Sequence, residues 1–279
     1  MIEHWNMVTK GDCRGSILGD TTHLTKLEME KLVACVQKKP DALCRLICFP
    51  WAGSGTSQLA QWGRLFNDSV EVFCIRLPGR ETRLEEPFAK DMTSVVNEIT
   101  SVLLKELKEK PFAFFGHSFG TYMSFAVALH LKQKYGLEPV HLFMSAAHAP
   151  NSAAYLAVQS IDLPDGHSDL LAIMEILGGN FELPLDKDLW RDTALVFKED
   201  ARLFKTCSFE KTEVNIPFSC DITYFCGSDD KIYDAKGWQE LTSGDTSFYE
   251  LPGDHLYLLK PSNESFLIKH MTRSIENGL

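Results

Sequence analysis

Short apolar runs alternate along the chain with longer stretches of helical spacing. Segments 43–49, 70–75, 112–115, 140–145, 222–226 and 246–251 are rich in aliphatic, β-branched and aromatic residues and read as strands. Between them, apolar residues recur at three- and four-residue spacing. Residues 24–38 carry Leu24, Leu27, Leu32, Val33 and Val36 on one stripe, and the pattern stops at Pro40. Further helices are predicted over 57–66, over 93–107 with Asp91 as cap, from Thr121 onward, over 234–241 and over 264–275. Strands that alternate with helices form a mostly parallel sheet with helices on both faces. No internal repeat or low-complexity linker interrupts the series.

The interval between Ser145 and Ile222 breaks the rhythm. Its apolar positions are helical: Leu170, Leu171, Ile173, Met174, Ile176 and Leu177 in one run, Trp190, Leu195, Val196, Phe197, Leu203 and Phe204 in another. Pro164-Asp165-Gly166, Gly178-Gly179-Asn180 and Pro184 mark turns. Two readings stand: extra core helices, or an apolar helical lid over a site at the strand ends. The expected organisation is an N-terminal leader and helix over 1–40, then one α/β domain over 41–279 with an insertion at about 149–209.

Composition narrows the class. The chain has 279 residues and a hydrophobic fraction of 44%, enough for a sizeable core. A formal net charge of -10 argues against a nucleic-acid binder. No stretch approaches the roughly 18 consecutive apolar residues of a membrane span. The first twenty residues are polar and lack the apolar centre of a signal peptide. Eight cysteines are scattered without metal-type spacing, several in apolar runs, as expected of buried free thiols in a reduced, cytosolic compartment.

The chemistry is concentrated around Gly116-His117-Ser118-Phe119-Gly120, a Gly-x-Ser-x-Gly pentapeptide between a strand and a helix. That context makes a nucleophile elbow: a sharp turn in which a Cβ at either glycine would clash, with the serine hydroxyl projecting above the sheet. Serine needs a base. His255, in Pro252-Gly253-Asp254-His255-Leu256 after the last strand, sits where α/β-hydrolases carry theirs; His148, after a strand, is the rival. His117 adjoins the serine in sequence, so its side chain is expected to point elsewhere. The acid is expected in Gly227-Ser228-Asp229-Asp230, with Asp230 preferred and Asp229 the alternative. Two backbone N–H donors should stabilise the oxyanion: that of Phe119, and one from the loop after the first strand, Ala52 or else Trp51.

Together the motifs resemble the type II thioesterase family of α/β-hydrolases. The resemblance rests on Leu46-Ile47-Cys48-Phe49-Pro50-Trp51-Ala52-Gly53, Arg76-Leu77-Pro78-Gly79-Arg80-Glu81, Pro111 to Ser118, and Leu251 to Leu259, and covers about residues 40 to 275. It implies a catalytic triad of Ser118, Asp230 and His255, with no metal and no cofactor beyond the phosphopantetheine that carries the substrate. The implied partner is the acyl carrier protein domain of a fatty acid synthase, and the implied result is release of a free, medium-chain fatty acid that ends chain elongation. The insertion would then cover the acyl chain. The chain departs from the family's pattern at Asp254, Ser54 and Phe119, where the family has Gly, Gly and Met. Asp254 is expected to raise the histidine pKa or shift its pose. Arg76, Arg80 and Arg83 admit two readings, a structural one and contact with phosphopantetheine or an acidic carrier. Rival readings of the whole chain are a carboxylesterase or acyltransferase on small acyl esters, and a catalytically silent acyl-binding protein.

Overall fold

A computed structural model describes residues 26–161, 187–209, 216–232 and 234–279. Its centre is a seven-stranded sheet formed by β1 (Val33–Ala34), β2 (Cys44–Phe49), β3 (Val70–Ile75), β4 (Phe112–His117), β5 (His141–Ser145), β6 (Asp221–Gly227) and β7 (Thr246–Leu251). The spatial order is β1-β3-β2-β4-β5-β6-β7. Every pairing is parallel except that of β1 with β3.

The continuous apolar runs are explained by burial on both faces. Side chains alternate across a strand, and here they alternate between two cores. Ile47, Phe49, Phe114, Leu142 and Tyr224 face a core built with Val95, Ile99 and Leu103 of helix Met92–Glu109 and Met123, Val127 and Leu131 of helix Phe119–Tyr135. Leu46, Cys48, Phe115, Phe143 and Phe225 face the other, closed by Leu59, Trp62 and by Leu267, Met271 and Ile275 of helix Pro261–Gly278. The sheet therefore carries helices on both sides, as the alternation predicts.

Two helices differ from the pattern. The stripe predicted over 24–38 is helical over 26–32 and then turns into the edge strand β1. Val33 and Ala34 pair with Ile75 and Cys74, so backbone hydrogen bonds to the sheet override the local helical spacing. The helix expected over 57–66 is an α-turn over Ser57–Ala60 followed by a 3-10 turn over Gln61–Arg64. Asp91 caps its helix as expected, accepting the Ser94 N–H at 2.7 Å. The helix after the pentapeptide stops at Gly136, whose φ of 64° is the left-handed C-cap.

Between β5 and β6, helices Ala153–Gln159 and Lys187–Lys205 are described; the run from Leu170 to Leu177, with Leu171 and Met174, lies outside the described residues. The two helices dock on Phe119–Tyr135 through rings. Tyr122 lies 5.2 Å from Tyr155 and 4.9 Å from Phe204, centroid to centroid. Among the described residues no helix is long and apolar enough to cross a membrane. Cys35, Cys44, Cys48, Cys74, Cys207, Cys220 and Cys226 are free thiols.

Candidate active site

Ser118 stands at the junction of β4 and the following helix with φ 53° and ψ −121°, a conformation that side chains rarely adopt. The turn is held by the sheet: Ser118 N–H donates to the Ser145 carbonyl at 2.8 Å, and Thr121 Oγ1 donates to the Gly116 carbonyl at 2.8 Å. A Cβ on Gly116 would lie 2.5 Å from Thr121 Cα, and one on Gly120 would overlap the Phe49 carbonyl. Both glycines are therefore steric requirements of the turn.

The second and third groups arrive from loops at the same ends of β6 and β7. Asp229 N–H donates to the Gly253 carbonyl at 2.8 Å and Ser228 N–H to the Leu251 carbonyl at 2.8 Å, which ties the two loops together. Gly227 permits this approach, since a Cβ there would overlap the Asp254 carbonyl. His255 Nε2 lies 2.9 Å from Ser118 Oγ, and His255 Nδ1 lies 2.9 Å from Asp230 Oδ2. The Asp230 side chain is fully buried and its Oδ1 also accepts the Ile232 N–H. Asp229 is exposed and accepts from Ser228 Oγ. Asp254 turns its carboxylate back onto the Leu256 N–H at 3.0 Å, a local turn that places the charge on its own loop.

Behind the histidine lies a buried polar chain. His117 Nδ1 is 2.8 Å from Ser145 Oγ, which is 2.5 Å from the Tyr257 hydroxyl. The His117 ring packs 5.2 Å from the His255 ring. As expected, the His117 side chain bonds away from Ser118, to Ser145, while its ring supports that of His255. Burial, and secondarily the neighbouring His255, push the His117 pKa well below the usual range, so the ring is neutral. His148 is half-buried and lines the same cleft, but the hydrogen bond to Ser118 Oγ comes from His255.

The cleft above Ser118 encloses about 650 Å³, the open mouth included, and is mainly apolar. Trp51, Ala52, Phe119, Tyr122, Phe197 and Phe204 form much of its wall. All three sequence-predicted oxyanion residues, Trp51, Ala52 and Phe119, border it beside Ser118.

The loop that carries Trp51 and Ala52 is fastened at three closely spaced points. Gly53 N–H donates to Asp200 Oδ2 at 2.8 Å, Arg80 Nη1 donates to the Ser54 carbonyl at 2.9 Å, and Thr56 N–H donates to Glu81 Oε1 at 2.7 Å. Arg80 and Asp200 form a buried two-pronged ion pair. Arg76 pairs with Glu81, and Arg83 with Glu86 and Glu98. All three arginines of this segment therefore bind carboxylates of their own chain, which favours the structural reading. Asp200 escaped the sequence reading, and Glu81 was named only as the last residue of the Arg76 to Glu81 motif. The signal for Asp200 was its spacing: it shares a stripe with buried Ala194, Phe197, Leu203 and Cys207, where a charge is out of place unless paired.

Comparison with known proteins adds the remaining findings. The thioesterase domain family matches residues 44–275. The S-acyl fatty acid synthase thioesterase, medium chain, of Anas platyrhynchos is 48% identical over 251 residues, covering 90% of this chain and 99% of that protein. Its counterpart in Rattus norvegicus is 44% identical over 247 residues, covering 88% and 94%. The crystal structure of human thioesterase 2 superimposes with a TM-score of 0.65 at 30% identity, covering 85% of this chain and 98% of that one.

Proposed function

The chain belongs to the thioesterase domain family, and on that premise we propose that it is a serine thioesterase releasing medium-chain fatty acids from the acyl carrier protein of a fatty acid synthase. The observation that carries this reading is the unbroken line Ser118 Oγ–His255–Asp230, at 2.9 Å and 2.9 Å, opening into an apolar cleft.

Ser118 Oγ attacks the thioester carbonyl carbon while His255 Nε2 takes the hydroxyl proton. Asp230 holds the Nδ1–H tautomer and stabilises the imidazolium that forms. The N–H groups of Phe119 and Ala52, or Trp51 in its place, receive the oxyanion. The intermediate collapses, the C–S bond breaks, and the imidazolium returns its proton to the leaving thiolate of phosphopantetheine. Water then attacks the acyl-serine ester, giving its proton to His255, and the serine leaves reprotonated with release of the free acid. No step requires a metal or a redox group. The acyl tail lies against Tyr122, Phe197, Ala201 and Phe204, so the insertion acts as its cover. Such an enzyme works where the synthase works, in the cytosol. The relatives, named for a fatty acid synthase, favour this substrate over small acyl esters.

The test is turnover of an acyl-thioester series, free and carrier-bound, beside matched oxygen esters. Medium-chain carrier-bound thioesters should give the highest kcat/KM. Equal or better turnover of short oxygen esters would overturn the assignment.

A further inference from the structure

Helix Lys187–Lys205 touches both halves of the reaction. Phe197, Ala201 and Phe204 face the cleft, while Asp200, 1% exposed, reaches past them to the loop between β2 and the next helix. There its Oδ2 accepts the Gly53 N–H at 2.8 Å and its two oxygens take the Arg80 fork at 2.8 and 2.5 Å. Arg80 in turn donates to the Ser54 carbonyl. Gly53 has φ 78°, and a Cβ on it would lie 3.1 Å from Phe197 Cβ, so the helix also presses directly on the loop at this residue.

We propose that Asp200 is a positioning residue through which the helix covering the acyl cleft sets the oxyanion loop. The Gly53 bond fixes the peptide plane between Ala52 and Gly53, next to the N–H that is to receive the oxyanion. An N–H that has to be reoriented during reaction stabilises the transition state less than one already held in place. Occupation of the cleft by an acyl chain and the geometry of the oxyanion donor are then linked through one helix. The inference rests on the proposed function only for the identity of the acyl group.

The experiment compares kcat and KM for wild type, Asp200→Ala and Asp200→Asn, with a medium-chain thioester and with p-nitrophenyl acetate. Rates are expressed per serine titrated to completion by a fluorophosphonate, so that loss of folded enzyme does not count as loss of rate. Asp200→Ala should lower kcat about 100-fold on both substrates, the effect of losing one oxyanion donor, with KM for p-nitrophenyl acetate little changed. Asp200→Asn keeps the shape and one acceptor for Gly53 but turns an N–H₂ toward Arg80; it should retain more of kcat than Ala and still fall about 10-fold short. If Asp200→Ala does not fold, the Asn variant decides alone. A kcat per titrated serine within threefold of wild type in a folded variant overturns the proposal. Wild-type hydrolysis of p-nitrophenyl acetate without hydrolysis of any acyl thioester would instead remove the proposed function and leave this proposal to be decided by the ester rates.

Discussion

Gly120, one residue into the helix that follows Ser118, lies directly against the carbonyl of Phe49 at the end of β2. A Cβ at Gly120 would overlap that oxygen and stand 2.6 Å from the Pro50 carbonyl. Both obstacles are backbone, so no rotamer change relieves them, and the helix that follows Ser118 is seated against the start of the loop that carries Trp51 and Ala52. Gly120→Ala should therefore cost on the order of 3 kcal/mol or more, or prevent folding. Gly136→Ala is the contrast: nothing lies within 4 Å of its Cβ, and only the left-handed φ of 64° opposes it, at about 1–2 kcal/mol. Thermal unfolding of both variants checks the ranking; equal Tm losses would show that the contact at Gly120 is relieved by backbone movement.

Ser118→Ala should leave the fold intact and reduce turnover by about a million-fold, as removal of the nucleophile does in comparable triads. Circular dichroism and single-turnover rates on a purified thioester substrate measure this. Turnover near that of wild type would mean that Ser118 is not the nucleophile.

Asp230→Asn presents an amide to His255 Nδ1 in place of the carboxylate 2.9 Å away. The tautomer reverses, and kcat should fall about ten-thousand-fold. Exposed Asp229 accepts only from its neighbour Ser228 among the contacts of its carboxylate described above, so Asp229→Asn should change kcat less than about threefold. Steady-state kinetics of the pair decides which carboxylate serves His255.

Ala201 lines the cleft and is itself buried. Each methylene that enters an apolar site adds about 0.8 kcal/mol, or about fourfold in kcat/KM, until the cleft is full. Ala201→Phe should shift the peak of the acyl-length profile to shorter chains while leaving hydrolysis of the shortest thioesters nearly unchanged. The same peak in a folded variant would place the tail elsewhere.

His141 supplies a pH signature of stability. Its ring is stacked on Phe143 at 4.1 Å and its Nε2 lies 2.8 Å from Thr223 Oγ1. Burial, with a smaller contribution from His270, lowers its pKa to about 3, against about 6.5 in the unfolded chain. Between these values the unfolded state binds the additional proton, so stability is present above pH 6.5 and is lost as pH falls. The loss attributable to His141 between pH 7 and pH 5 should be about 2 kcal/mol. Urea unfolding of wild type and His141→Gln at the two pH values measures it; the variant should show the smaller difference, and identical differences would mean that His141 is not buried neutral.

Much of this protein was determined by local sequence. Strand β3 occupies the segment that its short run predicts, because a strand buried on both faces needs only a continuous apolar stretch, and β7 occupies its predicted segment as a half-exposed edge strand. Ser118 was marked by glycines that the turn requires at close range, and Asp91 by its place before a helical stripe. His255 and Asp230 were legible as residues after particular strands, since in a parallel sheet the strand ends converge on one edge whatever lies between them. Tertiary structure decided what depends on partners distant in sequence. Val33 and Ala34 became strand because β3 offered an unpaired edge. His117 became the support of His255 because both pack behind the same strand ends. Asp200, on a stripe otherwise apolar, is stable in the interior only because Arg80 and the Gly53 N–H meet it across 120 and 147 residues of chain. A buried charge is tolerated only with its partners, and no local pattern names partners that the fold alone brings together.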